Sequence, residues 1–244
     1  MLDSNESEER VPEIVFYQIP LSHFCEKVRW ALDFKGLPYR SVCVNPFTRK
    51  ELAKISGDKQ VPVIRDGARV VCDSSLIVEY LDDICPEPPL IPPKEPERRE
   101  ALELERIADE EIGPAVRRVA YEALFSDAAA FRKVMLPKRG LTRLLNPVRR
   151  LAIPLMVKRH FGITAEQLAA DKRNLRELLR ELDERLDGRS HLVGETLTIA
   201  DISVASLLAP LELVKDLSGS AEHSKIFCWV REMRAHHGRR SWNR

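Results

Sequence analysis

Ser22 and Cys25 stand three residues apart, just after an apolar run, Ile14-Val15-Phe16-Tyr17-Gln18-Ile19, that stops at Pro20. A hydroxyl and a thiol at this spacing suit thiol or anion chemistry because of what surrounds them. The run is rich in β-branched and aromatic residues and predicts a buried strand. Ser22 has the character of a helix N-cap, and Val28, Ala31 and Leu32 follow at helical spacing up to a Lys35-Gly36 stop. At such a turn, unpaired backbone N–H groups and the positive end of the helix dipole point at whatever lies beside Ser22. A nucleophile or an anion can be held there.

Two further groups carry polar or backbone chemistry. Lys59-Gln60-Val61-Pro62 opens an apolar stretch, and proline, which cannot donate to a ladder, belongs at a strand start or an edge. A cis bond there could leave the Val61 backbone groups to a ligand; a plain edge proline is the simpler alternative. Asp73-Ser74-Ser75 opens a helix with Leu76, Ile77, Tyr80 and Leu81 on one face, so Ser74 is either an N-cap or an anion contact. Tyr17 lies inside the first strand and could point either way. His23 reads as an exposed turn histidine.

The elements that must position these residues follow in order. Pro38 to Asn45 alternates as a second strand, and Thr48 to Ser56 is a short helix closed by Gly57. Gln60 to Asp73 gives two short strands around an Asp66-Gly67 hairpin turn. Strand-helix-strand needs parallel pairing and the hairpin pairs antiparallel, so a mixed four-stranded sheet with helices on both faces is predicted. Glu87 to Pro96 is proline-dense and reads as a stiff linker. Only helices follow. Glu97 to Ile112 is half-buried, and Glu166 to Leu186 carries a leucine stripe closed by Gly188. Thr198 and Asp201 form a capping box before a buried helix through Ala209.

The Ser-x-x-Cys turn, the Val-Pro before strand three, the Asp-Ser opening the next helix and the later capping box together resemble the cytosolic glutathione transferases. That resemblance implies a thioredoxin-like α/β domain over 12–86, a linker over 87–96 and an all-α domain over 97–244; the acidic, polar composition of the start reads residues 1–11 as a disordered tail. It implies glutathione as co-substrate, transferred to a small hydrophobic electrophile lying between the domains, and a homodimer. Ser22 would donate a hydrogen bond to the glutathione sulfur. Cys25 matches only the resolving position of the thiol-type relatives, with no cysteine at Ser22 to attack. The Val61 backbone would pair with the cysteinyl part, Lys59 and Gln60 would reach the glycyl end, and Asp73 and Ser74 would hold the γ-glutamyl group. Many relatives have Glu or Gln where Asp73 stands, which shortens the reach here.

Composition narrows the alternatives. A formal charge of +1 argues against nucleic-acid binding through bulk charge, and no apolar stretch is long enough to span a membrane. The acidic start, Met1 to Arg10, has no apolar core of a signal peptide. Cys25, Cys43, Cys72, Cys85 and Cys228 lack metal-ligand spacing and fit free thiols in a reducing cytoplasm. No metal is called for. One stretch stands apart. From Ala128 to Ala165 there is no acidic residue, while Arg132, Lys133, Lys138, Arg139, Arg143, Arg149, Arg150, Lys158 and Arg159 are basic. Pro137, Pro147 and Pro154 should break it into short pieces. Such a segment can contact anionic lipid or an acidic partner. The reading preferred from sequence is a cover over the cleft, balanced by the acidic helices. A scaffold protein that docks through this segment, or thiol exchange through Cys25, are the alternatives to the transferase.

Overall fold

The structure is a computed structural model that describes residues 14–45, 48–136, 146–219 and 224–237. The acidic start, the stretch with Pro137, Lys138, Arg139 and Arg143, and the ending after His237 lie outside the described residues. The chain divides into two compact units, Met1–Pro88 and Pro89–Arg244.

The first unit runs β1 (Ile14–Gln18), α1 (His23–Phe34), β2 (Tyr39–Cys43), α2 (Lys50–Ser56), β3 (Val63–Asp66), β4 (Arg69–Cys72) and α3 (Ser74–Ile84). Its four strands lie in the order β2-β1-β3-β4. β1 pairs parallel with β2 and antiparallel with β3, and β3 pairs antiparallel with β4. This is the mixed thioredoxin-like sheet the sequence predicts. The Asp66–Arg69 pair closes the hairpin, with Gly67 at φ 55, where a side chain would be strained. β1 sits inside the sheet with Ile14, Val15 and Phe16 buried, the pattern of a strand covered on both faces. α1 packs on α3 and buries Val28, Trp30, Ala31 and Leu32.

A buried cation closes α1. The Lys35 side chain is inaccessible to solvent, ion-pairs with Asp82, and donates to the carbonyls of Cys85 at 2.7 Å and Pro88 at 2.6 Å. A buried ammonium survives only with such full satisfaction. It ties the end of α1 to the end of α3 and to the chain leaving the unit.

In the second unit, α4 (Glu97–Ile107), a π turn over Ala108–Ile112 and α5 (Gly113–Ser126) form one unbroken helical run. The sequence predicts an end at Ile112, before Gly113-Pro114. The helix continues because the π turn absorbs the proline: Pro114 has no N–H for the Glu110 carbonyl, and the Gly113 N–H bonds one residue further back, to Ala108. Ile112, Ala115 and Val116 bury the inner face. Then come α6 (Ala128–Met135), α7 (Asn146–Phe161), α8 (Ala165–Arg185), α9 (Ile199–Leu208), α10 (Lys215–Ser218) and α11 (Ser224–His237).

α7 is a second departure from the sequence reading. It runs unbroken through Pro154, and Pro147 sits in its first turn, where a missing N–H costs nothing. Packing replaces the lost bond: Ile153 is buried, and Phe161 stacks on Tyr121 of α5 at 5.6 Å. α9 is buried along its whole length and starts at the predicted box. Asp201 accepts from the N–H groups of Leu192 (2.7 Å) and Thr198 (2.8 Å) and from the Thr198 hydroxyl (3.0 Å). The proline-dense stretch is anchored to the same helix, since Leu90 is fully buried and its carbonyl accepts from Ile199 at 2.8 Å.

Candidate functional site

The register of the sheet gathers the candidate residues at one end. Tyr17, near the end of β1, pairs with Val63 at the start of β3, and Val63 pairs with Cys72 at the end of β4. The chain leaving β1 toward Ser22, the Val61-Pro62 entry to β3 and the Asp73-Ser74 exit from β4 therefore lie side by side.

Ser22 is the N-cap of α1, in extended conformation at φ −80 and ψ 116. Its N–H donates to Ile19 at 2.9 Å, and its Oγ accepts from the Cys25 N–H at 3.3 Å. The oxygen serves the helix as acceptor, and a hydroxyl in that role keeps one proton to donate. The turn is braced from beneath by Arg29, which is buried. One guanidinium nitrogen donates to Gln18 Oε1, the other to the Pro20 carbonyl at 3.3 Å, and Glu26 lies 3.7 Å away. Gln18 Nε2 continues the network to Ser41 Oγ at 2.9 Å. Reasoning from sequence missed Arg29, since arginine is read as surface; a glutamine ending an apolar strand was the available signal.

Cys25 is fully buried, and burial pushes its thiol up. The opposing pull of Ser22 and of the turn backbone is smaller. This is a core thiol held neutral, a poor nucleophile. His23 is buried, not exposed, with its ring 4.8 Å from that of Phe24. The aromatic environment of the turn makes it part of the packing.

The Val61–Pro62 bond is cis. Val61 precedes Val63, the first paired residue of β3, by two positions and so lies ahead of the ladder. Lys59 and Gln60 are exposed, and the Lys59 carbonyl accepts from Arg49 at 3.1 Å, which fixes their loop. Tyr17 is half-buried within β1.

Asp73, not Ser74, caps α3. Its Oδ1 accepts from the N–H groups of Ser75 at 2.9 Å and Leu76 at 3.4 Å. Ser74 is the first helical residue and is buried. An aspartate wins this position over serine because the chain must turn there at φ 76, ψ 137, and Asp tolerates positive φ better than most residues. That conformation costs about 1–3 kcal/mol and persists only where its surroundings enforce it. Lys27 is the third buried cation the sequence conceals: from α1 its Nζ lies 3.2 Å from Ser75 Oγ, in the first turn of α3. Two helix N-termini, with the buried Lys27 beside the first turn of α3, make this end of the sheet favourable to negative charge, while the charge of Arg29 is offset by Glu26.

The model of the glutathione S-transferase N-terminal domain matches residues 16–89, and that of the C-terminal domain matches 165–230, between them more than half of the chain. Glutathione S-transferase TCHQD of Arabidopsis thaliana is 26% identical over 215 residues, covering 81% of this chain and 77% of that protein. A glutathione S-transferase of Triticum aestivum is 38% identical over 78 residues; this match covers 32% of the chain and 37% of the relative. The fold is similar to that of a beta-etherase from Sphingobium sp. (TM-score 0.71, 23% identity, 93% of this chain and 96% of that one). It is also similar to a glutathione S-transferase of Methylobacterium radiotolerans, solved with glutathione sulfonate (TM-score 0.66, 22% identity, 94% and 92%). The thioredoxin-like unit, the all-helical unit and both domain matches fall in one order along one polypeptide, and the chain belongs to the cytosolic glutathione S-transferase superfamily.

Proposed function

We propose that the protein binds glutathione at this end of the sheet, stabilises its thiolate with the Ser22 hydroxyl and joins it to a small hydrophobic electrophile. The observation that carries the reading is the Ser22 geometry. Its Oγ accepts from the Cys25 N–H, so its proton is available to a sulfur beside the α1 N-terminus. A thiolate there gains from the helix dipole as well, which lowers the cost of losing the thiol proton near neutral pH. In this reading the Val61 backbone pairs with the cysteinyl part, Lys59 and Gln60 reach the glycyl carboxylate, and the exposed Asp73 carboxylate meets the γ-glutamyl ammonium. Ser74 and the α3 N-terminus, with Lys27 behind them, take the γ-glutamyl carboxylate. The protein works as a homodimer in the cytoplasm, a setting that five unpaired cysteines fit. Cys25 exchange is disfavoured by its complete burial.

Calorimetric titration with glutathione, combined with a difference spectrum for bound thiolate, tests this directly. Wild type should bind and show thiolate near neutral pH, and Ser22→Ala should bind but lose the thiolate signal. Binding without thiolate in wild type would remove the transferase chemistry. Absence of binding at millimolar glutathione would remove the site.

A further inference from the structure

The Ser22 N–H donates to the Ile19 carbonyl at 2.9 Å, so residues 19–22 form a tight turn with Pro20 and Leu21 at its centre. The soft coordinate of such a turn is its central peptide, whose flip carries the Pro20 carbonyl to the other side. Here the guanidinium of Arg29, 2% exposed, donates to that carbonyl at 3.3 Å, and its other terminal nitrogen donates to Gln18 Oε1 in β1. Gln18 is fixed in its turn: its carbonyl accepts from Val44 at 2.8 Å and its Nε2 donates to Ser41 Oγ at 2.9 Å. Glu26, 3.7 Å from the guanidinium, balances its charge. The flipped form needs a positive φ at Leu21, and among the described non-glycine residues only Arg49 and Asp73 take one. Apolar packing would hold α1 against β1 without the cost of desolvating a guanidinium. What packing cannot do is fix the direction of a carbonyl.

We propose that Arg29 is a positioning residue of the thiolate site: by holding the Pro20 carbonyl it keeps the turn in the form that sets the Ser22 hydroxyl within hydrogen-bonding reach of the glutathione sulfur. The inference rests on the glutathione reading above and adds to it a residue that acts only through Ser22. A hydrogen bond weakens steeply as its alignment is lost. A turn free to flip therefore forfeits thiolate stabilisation, while the contacts of glutathione with Val61 and the α3 N-terminus stay as they are. The fork of the guanidinium is what the task requires. A strand side chain and a turn carbonyl are met by separate nitrogens of one rigid plane, which a lysine ammonium does not reproduce.

The test reads the acid dissociation of bound glutathione from its thiolate absorbance against pH. Arg29→Lys should lower the dissociation constant of the bound thiol about tenfold, so that thiolate appears only at higher pH. Its affinity for S-methylglutathione, which has no thiol to ionise, should change by less than about twofold. In a Ser22→Ala background, titrated to higher pH, the same change should alter the constant by less than about twofold, because it acts through that hydroxyl. Leu21→Gly approaches the turn with Arg29 left in place. A glycine after proline favours the flipped form, and the constant should fall about threefold or more. Leu21→Ala removes the same side chain without admitting a positive φ and should match wild type. Leu21 is 38% exposed, so this pair of variants decides the matter even where Arg29→Lys does not fold. An unchanged constant in Leu21→Gly, or in folded Arg29→Lys whatever its thermal midpoint, would overturn the proposal. So would an Arg29→Lys effect that persists without the Ser22 hydroxyl. Absence of thiolate in wild type would overturn the glutathione reading itself, and this inference with it.

Discussion

At the residue scale, Ser22 and Cys25 show how one turn gives two neighbouring nucleophile candidates opposite environments. Ser22 is half-exposed, and Cys25 is sealed beneath it. Because burial raises the Cys25 thiol above its ordinary value, its thiolate is scarce at neutral pH and stays scarce until pH passes the ordinary thiol range. Iodoacetamide at mildly alkaline pH should therefore modify the exposed Cys43 and Cys228 and spare Cys25 until denaturant is added. Peptide mass mapping would show it, and labelling of Cys25 as fast as Cys43 would refute the burial argument. Replacing Ser22 by Ala should not change the pattern, since burial, not the Ser22 contact, is the larger influence.

At the element scale, α1 and α3 are tied at both ends by lysines that no longer behave as surface residues: Lys27 to Ser75, and Lys35 to Asp82 and two carbonyls. Lys35→Met would keep the stem but leave a carboxylate and two carbonyls without their cation, at a cost of about 3–5 kcal/mol. Lys35→Arg should rescue little, because three acceptors converge on a point charge and a planar fork cannot meet them all. Urea titration of both variants would read the loss as a lower midpoint, and a wild-type midpoint in Lys35→Met would show the clamp to be idle. The same reasoning explains why α7 runs through Pro154. One missing backbone bond is a smaller loss than the packing of Ile153 and Phe161 would be.

At the scale of the whole molecule, acid should loosen the second unit first. Ala130 and Ala129 N–H groups hold the Asp127 carboxyl below its ordinary value, Lys225 does the same for Asp187, and Lys172 for Asp216. Each folded value lies below the unfolded one, so the stability they confer is present above the ordinary carboxylate range and is lost as pH falls through the folded values. All three are largely exposed, so each loss is small. Asp201 runs the other way, because burial pushes its carboxyl up. The expected result is a gradual fall of the thermal midpoint below about pH 4; a sharp fall between pH 5 and 6 would contradict it. Much of this architecture was legible in the sequence. The Asp66-Gly67 turn, the Ser22 cap and the Thr198–Asp201 box are local signals whose chemistry is complete within a few residues. The site was legible where it rests on such signals. Lys27, Arg29 and Lys35 were not, because nothing local marks a basic residue as buried; only the packing of α1 decides it. The positive φ of Asp73 was hidden for the same reason, being imposed by the exit from β4.

The π turn before Pro114 also constrains the length of this chain. A π turn holds one more residue than an α turn, so deleting Glu111, which is exposed, would let the run from α4 to α5 close as ordinary helix with Leu104 and Val116 still facing inward. The proline would then meet the carbonyl that the π turn now steers away from it. The deletion is thus compatible with the fold only together with Pro114→Ala, and a shorter version of this helix must lose its proline together with its extra residue.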